Sequence, residues 1–247
     1  MKLIIIIPAY NEAETLKGVV ESLRRTCPDY DYIIVNDGST DETKELCVKN
    51  NYNVISHTVN LGLAEAVRTG MKYALENGYD AALQFDADGQ HLPEYIDDIV
   101  NCMEESDCDI VIGSRFLNSK MPFRIRTVGG KMIFHAVRFA ANYELSDPTS
   151  GMRLFSAGIM SLFVKNRHFT PEPDTLTFLI RMGADIREVK VTMEDRMAGQ
   201  SYLTPVNATK YMFRIMKSIL YSQKKWPTVK IPDKKQPVAA KKAEGRM

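Results

Sequence analysis

Asp86 and Asp88 stand two residues apart in LQFDADGQHLPE, residues 83–94, just where an apolar run ends. An extended chain turns residues i and i+2 to the same side, so both carboxylates can face one point. Two like charges left unpaired there would cost free energy, and a cation between them removes the cost. Hard divalent ions take oxygen ligands and commonly combine one or two carboxylates with substrate phosphates, which suits Mg²⁺ or Mn²⁺. The tripeptide alone serves equally well as a turn or a helix cap. Its setting after a buried strand favours the metal, with Gly89, Gln90 and His91 following and Asp37 at the end of a second strand.

Other polar residues gather in similar places. PAYNE, NDGSTD and DADGQH each follow an apolar run, and ligands of open parallel sheets bind beyond the carboxyl ends of the strands. Neither GxGxxG nor GxxxxGK followed by Ser or Thr occurs, so a bound polyphosphate must be neutralised mainly by metal rather than by a glycine-rich cradle. Arg115, Arg153 and Arg196 each lie near a glycine in a loop-like stretch, and a guanidinium grips phosphate oxygens bidentately. A structural salt bridge explains any one of them as well; together they suit a substrate with several phosphates. Gly199 and Ser201 give the RMAGQS stretch mobility and donors for closing over a ligand. Arg68, on the Ala-rich helix, could reach a phosphate, but an exposed helix arginine is usually a solvated charge, and it stays outside the catalytic set.

The elements that must position these residues alternate. Residues 3–7 form a β-branched run, and residues 14–25 carry helical spacing through Leu16, Val19, Val20 and Leu23. YIIVNDGSTDE reads as strand then cap, NVISH as a strand, LAEAVRTGMKYALENG as a helix ending at Gly78, and AALQFDAD as the fourth strand. A helix over 93–105 and the strand DIVIGSR complete the array. The expected class is α/β, a mostly parallel sheet covered by helices. Beyond Arg115 the alternation stops: a loop-rich stretch leads into a helix with Arg and Lys among large apolar residues. A helix near 175–182, a strand IREVKVTM, a polar loop and a helix over 206–223 follow. The expected organisation is one domain over 1–223, with halves 1–115 and 116–223, and a basic flexible tail over 224–247.

The 247 residues are 45% hydrophobic, enough for a substantial core. Lys and Arg total 32 against 31 Asp and Glu, which gives no global attraction to nucleic acid. The tail is different: Lys224, Lys225, Lys230, Lys234, Lys235, Lys241, Lys242 and Arg246 face only Asp233 and Glu244. Cys27, Cys47, Cys102 and Cys108 form no CxxC pair and point to a reducing, cytoplasmic compartment. The first apolar run is too short for a signal peptide, and no stretch reaches the roughly 18 apolar residues of a membrane span. Residues 124–143 and 206–226 are amphipathic with basic residues, which together with the tail suits peripheral binding at the cytoplasmic membrane face.

IPAYNE, VNDGSTD, NLGLAEAVRTG, QFDADGQHLPE, GSRF, DPTSGMRLF and EVKVTMEDRMAGQS resemble, in this order, the signature blocks of family 2 glycosyltransferases of GT-A fold. The likeness covers about residues 1–202. DADGQH, SGMR and RMAGQS are most similar to the polyprenyl-phosphate glycosyltransferases, the relatives of dolichyl-phosphate mannose synthase. The resemblance implies an inverting, metal-dependent transfer from a UDP- or GDP-sugar to a polyprenyl phosphate or glycan. It implies that Pro8, Tyr10 and Glu12 frame the nucleoside, that Asp37 contacts base or ribose, and that Asp86, Asp88 and Gln90 hold the metal and diphosphate. Arg153 and Ser201 join the donor site, and Asp88, Arg115, Glu172 and Arg196 form the expected catalytic set. Relatives with sugar acceptors carry an acidic pair before a late helix; here Glu172 and Asp174 flank Pro173. Asp174 reads as a helix cap. Glu172 is a candidate base for a hydroxyl acceptor, whereas a lipid monophosphate is already anionic and needs none. Many relatives carry membrane helices after the domain, and their absence from this chain leaves room for a small membrane protein partner or for a fully cytosolic acceptor. The competing expectation is a non-catalytic, Mg²⁺-dependent nucleotide-binding or receiver-like signalling module, which leaves the SGMR-to-RMAGQS region without a role.

Overall fold

The structure, a computed structural model, describes residues 1–118, 125–194, 205–221, 226 and 228–232, with backbone alone for 125–129 and 205–209. Ile4, Ile5, Ile6 and Ile7 set its centre. They lie in β1 (Leu3–Ala9), which is buried at every position, as a strand covered on both faces must be. β1 runs on through Pro8, beyond the five-residue run read from the sequence. The missing proline N–H costs nothing there, because pairing with the neighbouring β4 (Ala81–Gln84) ends at Ile6 and its O accepts the Phe85 N–H.

Alternation then builds the first half: α1 (Leu16–Thr26), β2 (Asp31–Asn36), α2 (Thr43–Lys49), β3 (Val54–Ser56), α3 (Leu63–Glu76), β4, α4 (Ile96–Ser106) and β5 (Ile110–Ser114). The second half adds α5 (Ile125–Ala141), β6 (Arg153–Ser156), α6 (Ala157–Lys165), α7 (Pro173–Arg181), β7 (Ile186–Lys190) and α8 (Pro205–Leu220). The sheet order is β3-β2-β1-β4-β6-β5-β7. β6 is antiparallel to both β4 and β5, and every other pairing is parallel. Period-two alternation splits β1 between two cores. Ile4 and Ile6 pack with buried residues of α3, α5, α6, α7 and α8, while Leu3, Ile5 and Ile7 pack with those of α1, α2 and α4.

Two expectations need correcting. The RLFS strand lay in a stretch read as loop, because four residues beginning with Arg show neither period, and the helix after it was given no reading. β6 of the second half sits between β4 and β5 of the first, so the two halves share one sheet. The tail boundary at 223/224 falls too early. Trp226 packs on Phe169 and Phe178 at centroid distances of 5.8 and 5.1 Å, Val229 and Ile231 join the same core, and Pro232 lies against Gly158. Residues 233–247 lie outside the described residues.

Candidate active site

The carboxyl ends of β1, β2 and β4 bring together most of the residues singled out by sequence. After β4 the chain turns at Gly89, whose φ of +79° a side chain would disfavour. The turn closes through Asp88 Oδ1, which accepts the Gln90 N–H at 3.1 Å. Asp88 is 5% exposed, while the Asp86 side chain keeps a third of its surface in solvent. Gln84 Nε2 donates to Asp86 Oδ1 at 3.1 Å, and the Asp86 N–H donates to His91 Nδ1 at 2.9 Å. With Nδ1 accepting, the ring hydrogen belongs on Nε2, 3.7 Å from Asp86 Oδ2. Gly151 completes the cradle from the loop before β6: a Cβ there would lie 2.5 Å from Asp86 Oδ2.

Among the described residues no three His, Cys, Asp or Glu side chains converge as a cation cage. Two carboxylates at a half-open turn fit an ion that completes its shell with ligand oxygens and water, as Mg²⁺ and Mn²⁺ do. Gln90 turns its amide nitrogen away, donating to Glu194 O at 3.2 Å, while Glu194 N–H donates to Gln90 O at 3.0 Å. Only the Gln90 side-chain oxygen therefore remains for the expected metal role.

The loops after β1 and β2 interlock. Pro8 is buried in β1 and Tyr10 exposed beyond it. Asn11 Oδ1 accepts the Thr40 N–H at 2.8 Å, and Asn11 N–H donates to Ser39 Oγ at 3.0 Å. Glu12 works on its own loop, accepting the Thr15 hydroxyl at 2.9 Å. Burial would raise the Asp41 carboxyl, but bonds from the Thr43 hydroxyl and amide and the Ala13 amide outweigh it and hold the group below its ordinary range.

Asp37 is 3% exposed and takes three internal donors: His57 Nδ1 at 2.7 Å, Leu61 N at 2.9 Å and Gly62 N at 2.7 Å. Gly62 is the N-cap of α3, so Asp37 holds the chain as it enters that helix. These donors fix the carboxylate at the end of β2.

The arginines divide. Arg115 makes a fork with the buried Asp147, Nε to Oδ2 at 2.6 Å and Nη2 to Oδ1 at 2.8 Å, and also reaches Thr149 Oγ1 at 3.1 Å. The salt-bridge reading holds for it, and among the described residues Nη1 makes no hydrogen bond. Arg153 is not in a loop but opens β6, 2% exposed and paired in register with Gln84. Its Nη2 donates to Pro148 O at 2.8 Å, while Nε, Nη1 and Gln84 Oε1 have no partner among the described residues. Burial lowers the Arg153 pKa, opposed by Tyr211, Asp147, Asp86 and Glu172 around it. Arg68 is not the solvated charge read from sequence: it is buried and donates to Phe163 O and Phe169 O at 2.9 and 2.6 Å. Arg196 and Ser201 lie outside the described residues.

On the far side of the cleft α7 begins at Pro173, so the N-cap falls on Glu172 and Asp174 sits in the first turn, with Oδ1 accepting the Thr175 N–H. The expected cap at Asp174 is thus displaced by two residues. Glu172 makes no capping bond and instead pairs with Arg214 of α8 at 2.7 Å. Tyr211 lies beside them; burial and Glu172 raise its phenol, against Arg153 and Arg214. Sequence reading missed His57, Asp147, Tyr211 and Arg214. Asp147 stood within DPTSG and His57 at a strand end, which were usable signals; the two α8 residues gave none.

A seven-stranded mixed sheet with an acidic pair at the end of its fourth strand and an antiparallel strand beside it defines a GT-A architecture. Residues 4–163 match Glycosyl transferase family 2, and the chain belongs to that family; it is a glycosyltransferase. It is 28% identical over 226 residues to the polyprenol monophosphomannose synthase of Mycolicibacterium smegmatis, covering 86% of this chain and 84% of the relative. It is 38% identical over 180 residues to the UDP-N-acetylglucosamine–dolichyl-phosphate N-acetylglucosaminyltransferase of Methanococcus voltae, covering 64% and 70%. Among solved structures it resembles glucosyl-3-phosphoglycerate synthase from Mycobacterium tuberculosis in complex with Mn²⁺, UDP and phosphoglyceric acid. The TM-score is 0.65 at 17% identity over 92% of this chain and 79% of that one, a likeness of fold alone. Membership of the family sets aside the signalling-module expectation.

Proposed function

We propose that this glycosyltransferase moves a sugar from a UDP- or GDP-sugar to a polyprenyl phosphate at a membrane surface, with inversion at the anomeric carbon. The observation that carries the reading is the Asp86–Asp88 turn at the end of β4, with Gly151 leaving room beside Asp86. Asp86, Asp88 and the Gln90 side-chain oxygen would hold a divalent ion, which would supply positive charge against a departing diphosphate. Asp86 and Asp88 bind and orient, and the His91 ring braces Asp86. The interlocked loops after β1 and β2 receive the nucleoside, with Tyr10 exposed beside it. Arg115 offers Nη1 to phosphate while Asp147 fixes its plane, and the family resemblance assigns Arg196 and Ser201 to the same donor. Two curated relatives are named for transfer to polyprenol or dolichyl phosphate.

The choice of acceptor is supported by the surroundings of Glu172. Its carboxylate is engaged by Arg214 at 2.7 Å, and a phosphate monoester nucleophile requires no general base. Membrane contact rests on α5 and α8, which pack together and leave Phe139 83% and Phe213 66% exposed, with Arg138 and Lys217 on the same helices. No helix among the described residues is long and apolar enough to cross a membrane. The test is incubation with a panel of nucleotide sugars, Mg²⁺ or Mn²⁺, and polyprenyl phosphate. Glycosyl phospholipid should form, and Asp88→Asn should lower the rate about a hundredfold or more while the protein stays folded. Full turnover in excess chelator, or transfer to sugar hydroxyls in preference to the lipid phosphate, overturns the reading.

A further inference from the structure

His57 lies just past β3, and its backbone N–H extends the ladder to Asn36 O at 2.9 Å. Its ring bridges two other elements. Nδ1 is 2.7 Å from Asp37 Oδ1 at the end of β2, and Nε2 is 2.9 Å from Thr69 Oγ1, two turns into α3. A carboxylate only accepts, so Nδ1 carries the hydrogen and Nε2 accepts from the Thr69 hydroxyl. Imidazole suits this task because it presents a donor and an acceptor on opposite edges of one rigid ring.

The bridge fixes a loop. Asp37 takes donors from both ends of residues 57–62, His57 at one and Leu61 and Gly62 at the other, so one carboxylate closes the segment on itself. The middle of the loop rests on Gly38, where a Cβ would fall 2.3 Å from Val59 C and 2.6 Å from Asn60 N. Gly38 adjoins Ser39, whose Oγ receives the Asn11 N–H beside Tyr10. Thr69, His57, Asp37, the 57–62 loop and the turn at 38–39 therefore form one contiguous chain of contacts from α3 to the mouth of β1. Asp37 and His57 are largely buried, and a buried carboxylate deprived of one donor must be rehydrated or moved.

We propose that His57, tethered by Thr69, is a positioning residue for the donor nucleotide: it holds Asp37 and the 57–62 loop so that the loops after β1 and β2 keep the shape that receives the nucleoside. The inference rests on the placement of the nucleoside given above. It assigns His57 to donor affinity and not to the transfer step, because the Asp86–Asp88 turn is braced separately by Gln84 and His91.

The test compares His57→Leu, His57→Asn, Thr69→Val and Thr69→Ser in the whole chain. It uses donor KM and kcat, calorimetry with UDP and GDP in Mn²⁺, and amide exchange across 57–62. His57→Leu and Thr69→Val should raise KM and Kd about tenfold with kcat within about threefold of the parent. His57→Asn keeps the Asp37 bond and should recover part of the loss, and Thr69→Ser should match the parent. Unchanged KM in Thr69→Val, or a fall in kcat at constant KM, overturns the proposal. Should His57→Leu fail to fold, Thr69→Val decides alone, since it removes one hydroxyl at constant volume. If the parent binds neither nucleotide while His57→Leu still loses exchange protection over 57–62, the clamp stands as structure and the nucleoside placement falls.

Discussion

Gly151 lies outside the left-handed region, so alanine there acts through crowding alone, and its added carbon would sit 2.5 Å from Asp86 Oδ2 and 3.3 Å from His91 Cε1. Gly151→Ala should therefore push the Asp86 carboxylate aside and raise the Mn²⁺ concentration for half-maximal activity about tenfold. A titration of activity and of Mn²⁺ binding by magnetic resonance reads this directly, and an unchanged metal requirement would remove Asp86 from the site. At this scale the acidic pair was legible, because residue type, spacing and position after an apolar run all bear on one chemistry. The burial of Arg153 and Asp37 was not, because burial depends on which strand lies alongside. A polar residue quoted from a loop does not declare whether its functional atoms face a ligand or another loop. Arg115 shows the middle case: its position after β5 was readable, and its fork with Asp147, 32 residues on, was not.

At the scale of elements, Arg68 ties α3 to the last turn of α6 through Phe163 O and to the loop beyond it through Arg167 O and Phe169 O. Arg68→Met keeps the aliphatic stem and removes these donors, which should lower unfolding free energy by about 3 kcal/mol with little change in turnover at 25 °C. Urea denaturation monitored by circular dichroism measures it; a loss below about 0.5 kcal/mol would show that water replaces the guanidinium. The alternating strands and helices up to β5 were readable from periodicity, since buried parallel strands are apolar runs and their helices amphipathic. β6 escaped because a four-residue strand that begins with a charged residue carries no period. Antiparallel insertion is also a property of the sheet, not of the segment inserted. α7 begins two residues before the expected start, with Pro173 in its first turn, a position that proline favours.

For the whole molecule, membrane docking predicts that Phe139→Ser combined with Phe213→Ser weakens co-sedimentation with vesicles containing anionic lipid by about tenfold or more. Binding of a nucleoside diphosphate in solution should be unchanged. Equal vesicle binding by parent and variant would send the search for the lipid surface elsewhere. The sheet order carries a last consequence, for synthesis. When a nascent chain has cleared the ribosome only as far as β5, neither of the strands that will flank β5 has been made, and the edge of β4 away from β1 lies bare. That edge and the facing edge of β5 are covered only when residues 153–156 emerge and insert between them, and the far edge of β5 waits for residues 186–190. A pause, premature stop or cleavage in this interval leaves three sticky strand margins exposed, so the stretch of synthesis after β5 is where a cell's chaperones have most to do.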